Sequence, residues 1–230
     1  MSADAARVLV IGPYDLVTTS VGTALAARGF AVDRHPGEAT LPAPPPAGGV
    51  LLVNLDVPDS TVRVSHAVRA GWSVLVLGRQ SAPERTAAAV AAGADAQISR
   101  RAPLDALVDK VGELIAGRPG MSDDERNVWL TVHRTVITEV AAARRQLDLL
   151  TDREFEVLQR MERGQKAVEI SAEMTVAMST VRSHIRAILA KLEVNSQQRA
   201  VELYRGTRRH AERRARIRSR MSSVGDHRSA

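Results

Sequence analysis

The sequence predicts two domains, an α/β domain with a five-stranded parallel sheet followed by a compact all-α domain of four helices. In the first half, short aliphatic runs alternate with helix-like segments, which is the pattern of a parallel sheet covered by helices. In the second half, four short amphipathic segments are joined by tight turns. A chain of 230 residues is long enough for two separate cores.

The elements of the first domain follow one another in a regular order. Five aliphatic runs are candidate strands: RVLVIG (7–12), AVDRH (31–35), VLLVN (50–54), SVLVLG (73–78) and AQIS (96–99). The segments between them that are typical of helices are 16–28, 61–70, 82–92 and 103–116. The second crossover is the exception, because PGEATLPAPPPAGG (36–49) contains five prolines. We expect a stiff extended loop there instead of a helix.

A long helix is predicted between the two domains. GRPGMSD (117–123) interrupts the first pattern, and Ser122 with Glu125 forms a capping-box pattern for a helix ending near Gln146. An apolar stripe recurs along this helix at spacings of three and four: Trp129, Val132, Val136, Val140 and Ala143. Two alternatives remain open, since the stripe either packs on its own sheet domain or pairs with a second subunit.

Within the all-α domain, the spacing of apolar residues indicates a helix-turn-helix. A helix at 168–174 is followed by a short turn at 175–178 and then by a helix whose apolar positions would face inward. The opposite side of that last helix carries Arg182, Ser183 and Arg186. Arg182 and Arg186 are one turn apart and therefore share a face. Arginine can bond guanine O6 and N7 with two donors, so this face is a candidate reader of the major groove.

The same segment resembles the DNA-binding domain of the LuxR/NarL family over residues 148–205. The resemblance is carried by LTDREFEVL, GQKAVEISAEM and STVRSHIRAILAKLEVNSQQRAV, in that order. It implies base contacts from Arg182, Ser183 and Arg186, and it implies DNA backbone contacts around Lys166, Thr180 and Lys191. The sequence departs from the family at Glu193, where glycine is common, and at Lys166 and Ala167, where a Ser-Asn pair is common.

Residues 1–118 resemble a diverged receiver, the α/β domain that usually accompanies this DNA-binding domain. A receiver needs an acceptor aspartate after its third strand, acids that hold Mg²⁺, a hydroxyl after the fourth strand and a lysine after the fifth. The residues at those positions here are Gly12 and Pro13 for the acids, Asn54 for the acceptor, Gly78 for the hydroxyl and Arg100 for the lysine. Even the aromatic switch position of the fifth strand is Gln97. The resemblance thus implies a pseudo-receiver that does not accept phosphate.

Asp56 is the acid left closest to the acceptor position. It shares a side of the strand with Asn54, but to act as acceptor it would need a two-residue slip and a metal site, for which Asp15 offers one acid. Asp56 instead suits ion pairs with Arg79 and Arg100. Alternatively, those arginines would hold an acidic small molecule in the crevice at the carboxyl ends of the strands.

The amino-acid composition and the distribution of charge restrict the classes of function further. The chain has no cysteine, no signal-peptide pattern and no long apolar run, which predicts a cytoplasmic protein without disulfides. We find no nucleophile with a base, no metal constellation and no phosphate-cradling loop, so neither an enzyme nor a bound cofactor is expected. Residues 205–230 hold nine Lys+Arg and two Asp+Glu, a charge of +7 against +6 for the whole chain. We expect 206–230 to be an unstructured basic tail whose segment 207–220 contacts DNA phosphates.

The leading hypothesis is a dimeric, phosphorylation-independent transcription regulator that binds double-stranded DNA. The first domain would serve dimerisation or partner binding. Two alternatives stay open: a regulator that senses an acidic ligand, and an interaction protein that titrates a related regulator by heterodimerising through the helix at 122–146.

Overall fold

The computed structural model describes residues 7–12, 15–35, 41–45, 48–208 and 211. The chain divides into two compact units, 1–135 and 136–230. The division falls inside one long helix. In the described part of the chain, no helix is long and apolar enough to cross a membrane.

The first unit contains the predicted five-stranded parallel sheet. Its strands are β1 (Arg7–Ile11), β2 (Ala31–His35), β3 (Gly49–Asn54), β4 (Ser73–Gly78) and β5 (Ala96–Ser99). They lie in the order β2-β1-β3-β4-β5, and every neighbouring pair is parallel. β3 is buried along its whole length because it is central and covered on both faces. Its carboxyl end therefore lies at the centre of the crevice that an open parallel sheet forms.

Helices cover both faces of this sheet. They are α1 (Leu16–Ala27), α2 (Ser60–Arg69), α3 (Pro83–Ala91) and α4 (Leu104–Ile115). α1 and α4 pack on one face through Leu25 and Val111, whereas α2 and α3 pack on the other through Val64 and Ala89. All four helices lie within two residues of the ranges predicted from the sequence.

The proline-rich crossover has no helix in its described part. Residues 41–45 lack regular secondary structure, while 36–40 and 46–47 fall outside the described residues. Leu41 packs against the core of the α2/α3 face, and the Trp72 indole donates to the Pro42 carbonyl at 2.8 Å. On this face the neighbouring strands carry an ion pair between Arg7 and Asp33, with 2.6 Å between Nε and Oδ2. This part of the sheet face is thus partly polar, and the five prolines of 36–49 disfavour a helix over it.

The long helix α5 (Asp123–Leu147) begins where the sequence predicts. The Ser122 hydroxyl accepts from the Glu125 amide at 3.1 Å, which is one half of a capping box. The Glu125 carboxylate accepts from the Gln97 side chain at 3.0 Å, so this acid serves a tertiary contact. The reciprocal capping box was thus predicted only half correctly.

The second unit contains the predicted helical bundle. Its helices are α6 (Asp152–Glu162), α7 (Ala167–Met174), α8 (Met178–Lys191) and a last helix, α9, at 197–208. Their core is built mainly from Leu158, Ile170, Ile188 and Leu192. The last helix is longer than predicted, because residues 206–208, assigned to an unstructured tail, continue it. Of the predicted DNA-contacting segment 207–220, residues 209, 210 and 212–220 lie outside the described residues.

Glu193 occupies a turn that favours glycine. Its φ is 54°, in the left-handed region where a Cβ is strained. We predict that Glu193→Gly raises the free energy of unfolding by about 1 kcal/mol, because it removes this strain. Urea unfolding of the full chain measures the change. Ala190→Gly, within the helical part of α8, is the control and should lower stability by a similar amount; destabilisation by both substitutions would contradict the strain.

Candidate nucleic-acid interface and the crevice of the sheet domain

The face of α8 that the sequence predicts to read DNA is open to solvent. α8 buries Val181 and Ile188 in the bundle core, and Arg182, Ser183 and Arg186 lie on its exposed side. The helix follows a tight turn in which Thr175 adopts the left-handed conformation with φ 54°. This is helix-turn-helix geometry, with an arginine-bearing second helix available to a groove.

The three residues predicted to contact the DNA backbone differ in their surroundings. Lys166 and Thr180 are exposed, at the starts of α7 and α8. Lys191 is half-buried, and its Nζ lies 2.7 Å from Oε2 of Glu154. The Lys191 charge is thus partly offset within the domain, and its contribution to DNA binding would be smaller than that of an unpaired lysine.

Glu154 joins the start of α6 to the end of α8. It is 6% exposed, and the same Oε2 also accepts from the Thr151 amide at 2.7 Å. Burial raises the pKa of Glu154, but hydrogen bonds from Lys191 and Thr151 outweigh burial and leave the pKa lowered. This carboxylate is therefore charged and stabilises the arrangement that presents α8.

In the sheet domain, Asn54 lies buried at the carboxyl end of β3, with 1% of its surface exposed. Its Oδ1 accepts from the Asp56 amide at 3.1 Å, and its Nδ2 has no hydrogen-bond partner in the described part of the chain. Leaving a buried amide nitrogen without a hydrogen-bond partner lowers the stability of the fold. The tip of β3 thus carries a neutral side chain whose oxygen holds the backbone amide of Asp56.

The structure brings together the Asp56, Arg79 and Arg100 side chains that the sequence predicts to pair. Asp56 Oδ2 accepts from Arg79 Nε at 3.0 Å and Nη2 at 2.7 Å, and also from Arg100. Arg85, which sequence reasoning missed, lies 3.8 Å from the other carboxylate oxygen and donates to the Leu55 carbonyl at 2.8 Å. Arg85 lies in an alanine-rich helical segment with no motif that signals its direction. Three guanidinium groups therefore surround one carboxylate.

Gly12 sits where a receiver would have a metal-binding acid, and the space beside it is filled. A Cβ placed on Gly12 would lie 2.3 Å from Cγ2 of Thr18, which projects from α1. Asp15 accepts from the Thr18 amide at 2.9 Å and from its hydroxyl at 2.8 Å. These contacts lower the pKa of Asp15, mainly through the Thr18 backbone hydrogen bond. Asp15 is thus used as a helix cap; Pro13 lies outside the described residues.

Gly78, at the position that corresponds to the hydroxyl residue of a receiver, also has a threonine side chain filling the space beside it. A Cβ on Gly78 would lie 2.4 Å from Oγ1 of Thr86, a buried residue of α3. Two helix threonines thus occupy the space that side chains at the first and fourth strand ends would need. Neither Thr18 nor Thr86 was singled out from the sequence, since nothing local links them to the glycines.

β5 is connected to the start of α5 by two side chains. Gln97, at the aromatic switch position of a receiver, donates to Glu125 at 3.0 Å. The next residue, Arg126, donates from Nη1 to the carbonyl of Ala94, two residues before β5, at 3.1 Å. The strand that carries Arg100 at its end is therefore attached to the helix that leads out of the domain.

The apolar stripe of α5 is only half-buried. This applies to all five predicted members, Trp129, Val132, Val136, Val140 and Ala143, none of which belongs to the cores of the described residues. On the same helix Val128 is 62% exposed and Ile137 45% exposed. The stripe is thus neither part of a described core nor fully exposed, so packing on its own sheet domain and pairing with a second subunit both remain predictions.

The C-terminal unit is a DNA-binding domain of the helix-turn-helix class. Residues 148–204 match the family described as "Bacterial regulatory proteins, luxR family", so the chain carries a LuxR-type domain over the range that the motifs indicated. The resemblance of this segment to the DNA-binding domain of LuxR-type regulators is thereby confirmed.

Curated relatives of the chain are regulators. A nitrate/nitrite response regulator protein homolog from Haemophilus influenzae is 30% identical over 57% of this chain and 59% of its own length. The glycerol metabolism activator of Pseudomonas putida is 26% identical over 56% and 58%. The chain therefore spans under two thirds of both relatives. The transcriptional regulatory protein UhpA of Salmonella typhimurium is 27% identical over 64% and 69%.

Solved structures with a similar fold include two response regulators. ChrA of a heme-sensing two-component system aligns over 89% of this chain and 98% of its own, with 23% identity and a TM-score of 0.47. A complex of RcsB with DNA aligns over 88% and 98%, with 15% identity and a TM-score of 0.43.

Proposed function

We propose that this protein is a sequence-specific DNA-binding transcription regulator that acts without conventional aspartyl phosphorylation. The observation that carries the proposal is the exposed face of α8, with Arg182 and Arg186 inside a LuxR-type domain. Arginines on that face have the chemistry to read guanine.

The first test is base-specific binding by Arg182. A preferred site is first selected from random DNA with the full chain. Arg182→Ala should then weaken binding to that site by about 1–3 kcal/mol and relax selection at one base position. Random DNA should be bound almost as before. Arg163→Ala, which removes an exposed arginine at the end of α6, is the charge-matched control; an equal loss in both variants on both DNAs would contradict direct reading.

Phosphorylation independence is supported by the side chains that lie at the carboxyl ends of the strands. The acceptor position is the neutral Asn54, and the Asp56 carboxylate is engaged by Arg79 and Arg100. The expected result is that acetyl phosphate with Mg²⁺ leaves the intact mass and the DNA affinity unchanged. Phosphate found on Asp56 would overturn this part of the proposal.

Dimerisation through α5 is supported by its uncovered apolar residues, Val128 and Ile137 among them. A dimer would address two half-sites about one helical turn apart. Sedimentation of the full chain tests the proposal. If the helix pairs subunits, Ile137→Glu shifts the chain toward monomer, whereas Thr131→Glu, an exposed polar position on the same helix, does not. Recovery from cells only as mixed dimers would favour the titrating protein instead.

A further inference from the structure

The crevice of the sheet domain contains a cavity with a strong bias of charge. Its volume is about 610 Å³, and the described residues that line it include Arg79, Arg100 and Arg101 and no acid. Ser81 and Ser99 add hydroxyl groups. A concave surface with one sign of charge concentrates ions of the opposite sign.

The arginines on this cavity are not fully used by the protein. Asp56 is a shared partner, since Arg79, Arg85 and Arg100 all approach it. Arg101 is exposed, and within the described residues its guanidinium makes no ion pair. Each guanidinium carries five donors, so one carboxylate leaves many donors free.

The Arg100 side chain is the best placed for a ligand. It is 18% exposed, at the carboxyl end of β5, and its backbone amide donates to the Gly78 carbonyl at 3.0 Å. Its position is thereby fixed by the sheet and not by a mobile loop. The backbone is fixed in this way, and the guanidinium itself is oriented by its ion pair with Asp56, so it is already directed into the crevice that an anion would enter.

We propose that this cavity binds a multivalent oxyanion, a small phosphate or carboxylate compound, which competes with Asp56 for Arg79 and Arg100. The two arginines and Arg101 would each donate charge-assisted hydrogen bonds to it. Arg100 ends the strand whose Gln97 contacts Glu125 on α5, so a bound oxyanion would lie at the end of the strand that contacts this helix. This inference goes beyond DNA binding and does not depend on it.

The test uses pyrophosphate and citrate as probes for the two sources of oxyanion, titrated into the full chain at constant ionic strength by calorimetry. Saturable binding of one or both probes is expected, and the tighter one identifies the source. Arg101→Gln, which breaks no ion pair in the described structure, should weaken binding about tenfold. Asp56→Asn should strengthen it several-fold, because the competing carboxylate is gone.

The charge-matched control is Arg28→Gln, an arginine of α1's end that pairs with Asp105 outside the cavity. It should change the affinity less than twofold. The proposal is overturned if neither probe binds, if Arg101→Gln and Arg28→Gln have equal effects, or if Asp56→Asn binds more weakly. Thermal unfolding of each variant, measured without a probe, shows that the sheet domain is folded. DNA affinity, which belongs to the C-terminal unit, is measured separately, so failure of the oxyanion site and failure of the proposed function are distinguishable.

Discussion

Glu154→Ala is expected to lower the free energy of unfolding of the C-terminal unit by about 2–3 kcal/mol. The substitution removes a 6% exposed carboxylate that accepts from both Thr151 and Lys191. The Thr151 amide then loses its cap, and the Lys191 ammonium loses its partner. The value is at the lower end for a buried pair, since Lys191 is 34% exposed and regains some hydration. Urea unfolding followed by circular dichroism measures the change.

Glu156→Ala is the matched control. Glu156 is on the same helix, but its side chain is 35% exposed and its partner Arg153 is 71% exposed, so these ion pairs contribute less. Its other partner, Arg160, keeps Glu173 as a second carboxylate when Glu156 is removed. If both substitutions cost the same, the buried contact is not what stabilises the unit.

The same carboxylate predicts a dependence on pH. The pKa of Glu154 is lowered from its ordinary 4.5 in the folded chain. A group whose pKa is lower in the folded chain than in the unfolded chain stabilises the fold at pH values above its unfolded-state pKa. That stabilisation is lost as the pH falls through its folded-state pKa. The wild-type advantage over Glu154→Gln should therefore be complete at neutral pH and shrink below about pH 4.5. A difference that persists unchanged into strong acid would contradict this.

Gly12→Ala is expected to destabilise the sheet domain by about 2–3 kcal/mol, although alanine is a small residue. The added Cβ would lie 2.3 Å from the Thr18 methyl group, and α1, which carries that methyl, packs on the sheet core. Thr18→Ser removes the methyl and keeps the hydroxyl that contacts Asp15. In the Thr18→Ser background, Gly12→Ala should therefore cost at least 1 kcal/mol less, as a double-mutant cycle on thermal unfolding would measure.

Gly112→Ala gives the control, because a Cβ at this α4 position meets nothing within 4 Å. It should be neutral or stabilising, since alanine is the better helix former. Additive costs for Gly12→Ala and Thr18→Ser would show that the methyl does not exclude a side chain at 12. The expected coupling would mean that an acid at Gly12 cannot be restored without changing Thr18.

The sequence predicted local features well because their causes are local. Strand and helix positions followed from hydrophobic periodicity, and the helix-turn-helix followed from the spacing between Ile170 and Ile188. The cap at Ser122 shows where local patterns fail. The Ser122 hydroxyl caps the helix as predicted, but the Glu125 carboxylate accepts a hydrogen bond from Gln97 on another element instead of completing the capping box. Likewise, the family resemblance implied a DNA backbone contact for Lys191 but gave no sign of its partner Glu154.

By itself, the sequence determined two domains, a parallel sheet and a LuxR-type helix-turn-helix with Arg182 and Arg186 outward, and it placed Asn54 and Gly78 at the ends of the third and fourth strands. Only the tertiary structure decided that Thr18 and Thr86 fill the vacated strand ends. It likewise decided that Arg85 joins Arg79 and Arg100, the two arginines that the sequence predicted, at Asp56. The physical reason is that periodicity and spacing encode which side of an element faces inward. Contacts between side chains distant in sequence depend instead on how the packed elements align, which local patterns do not specify.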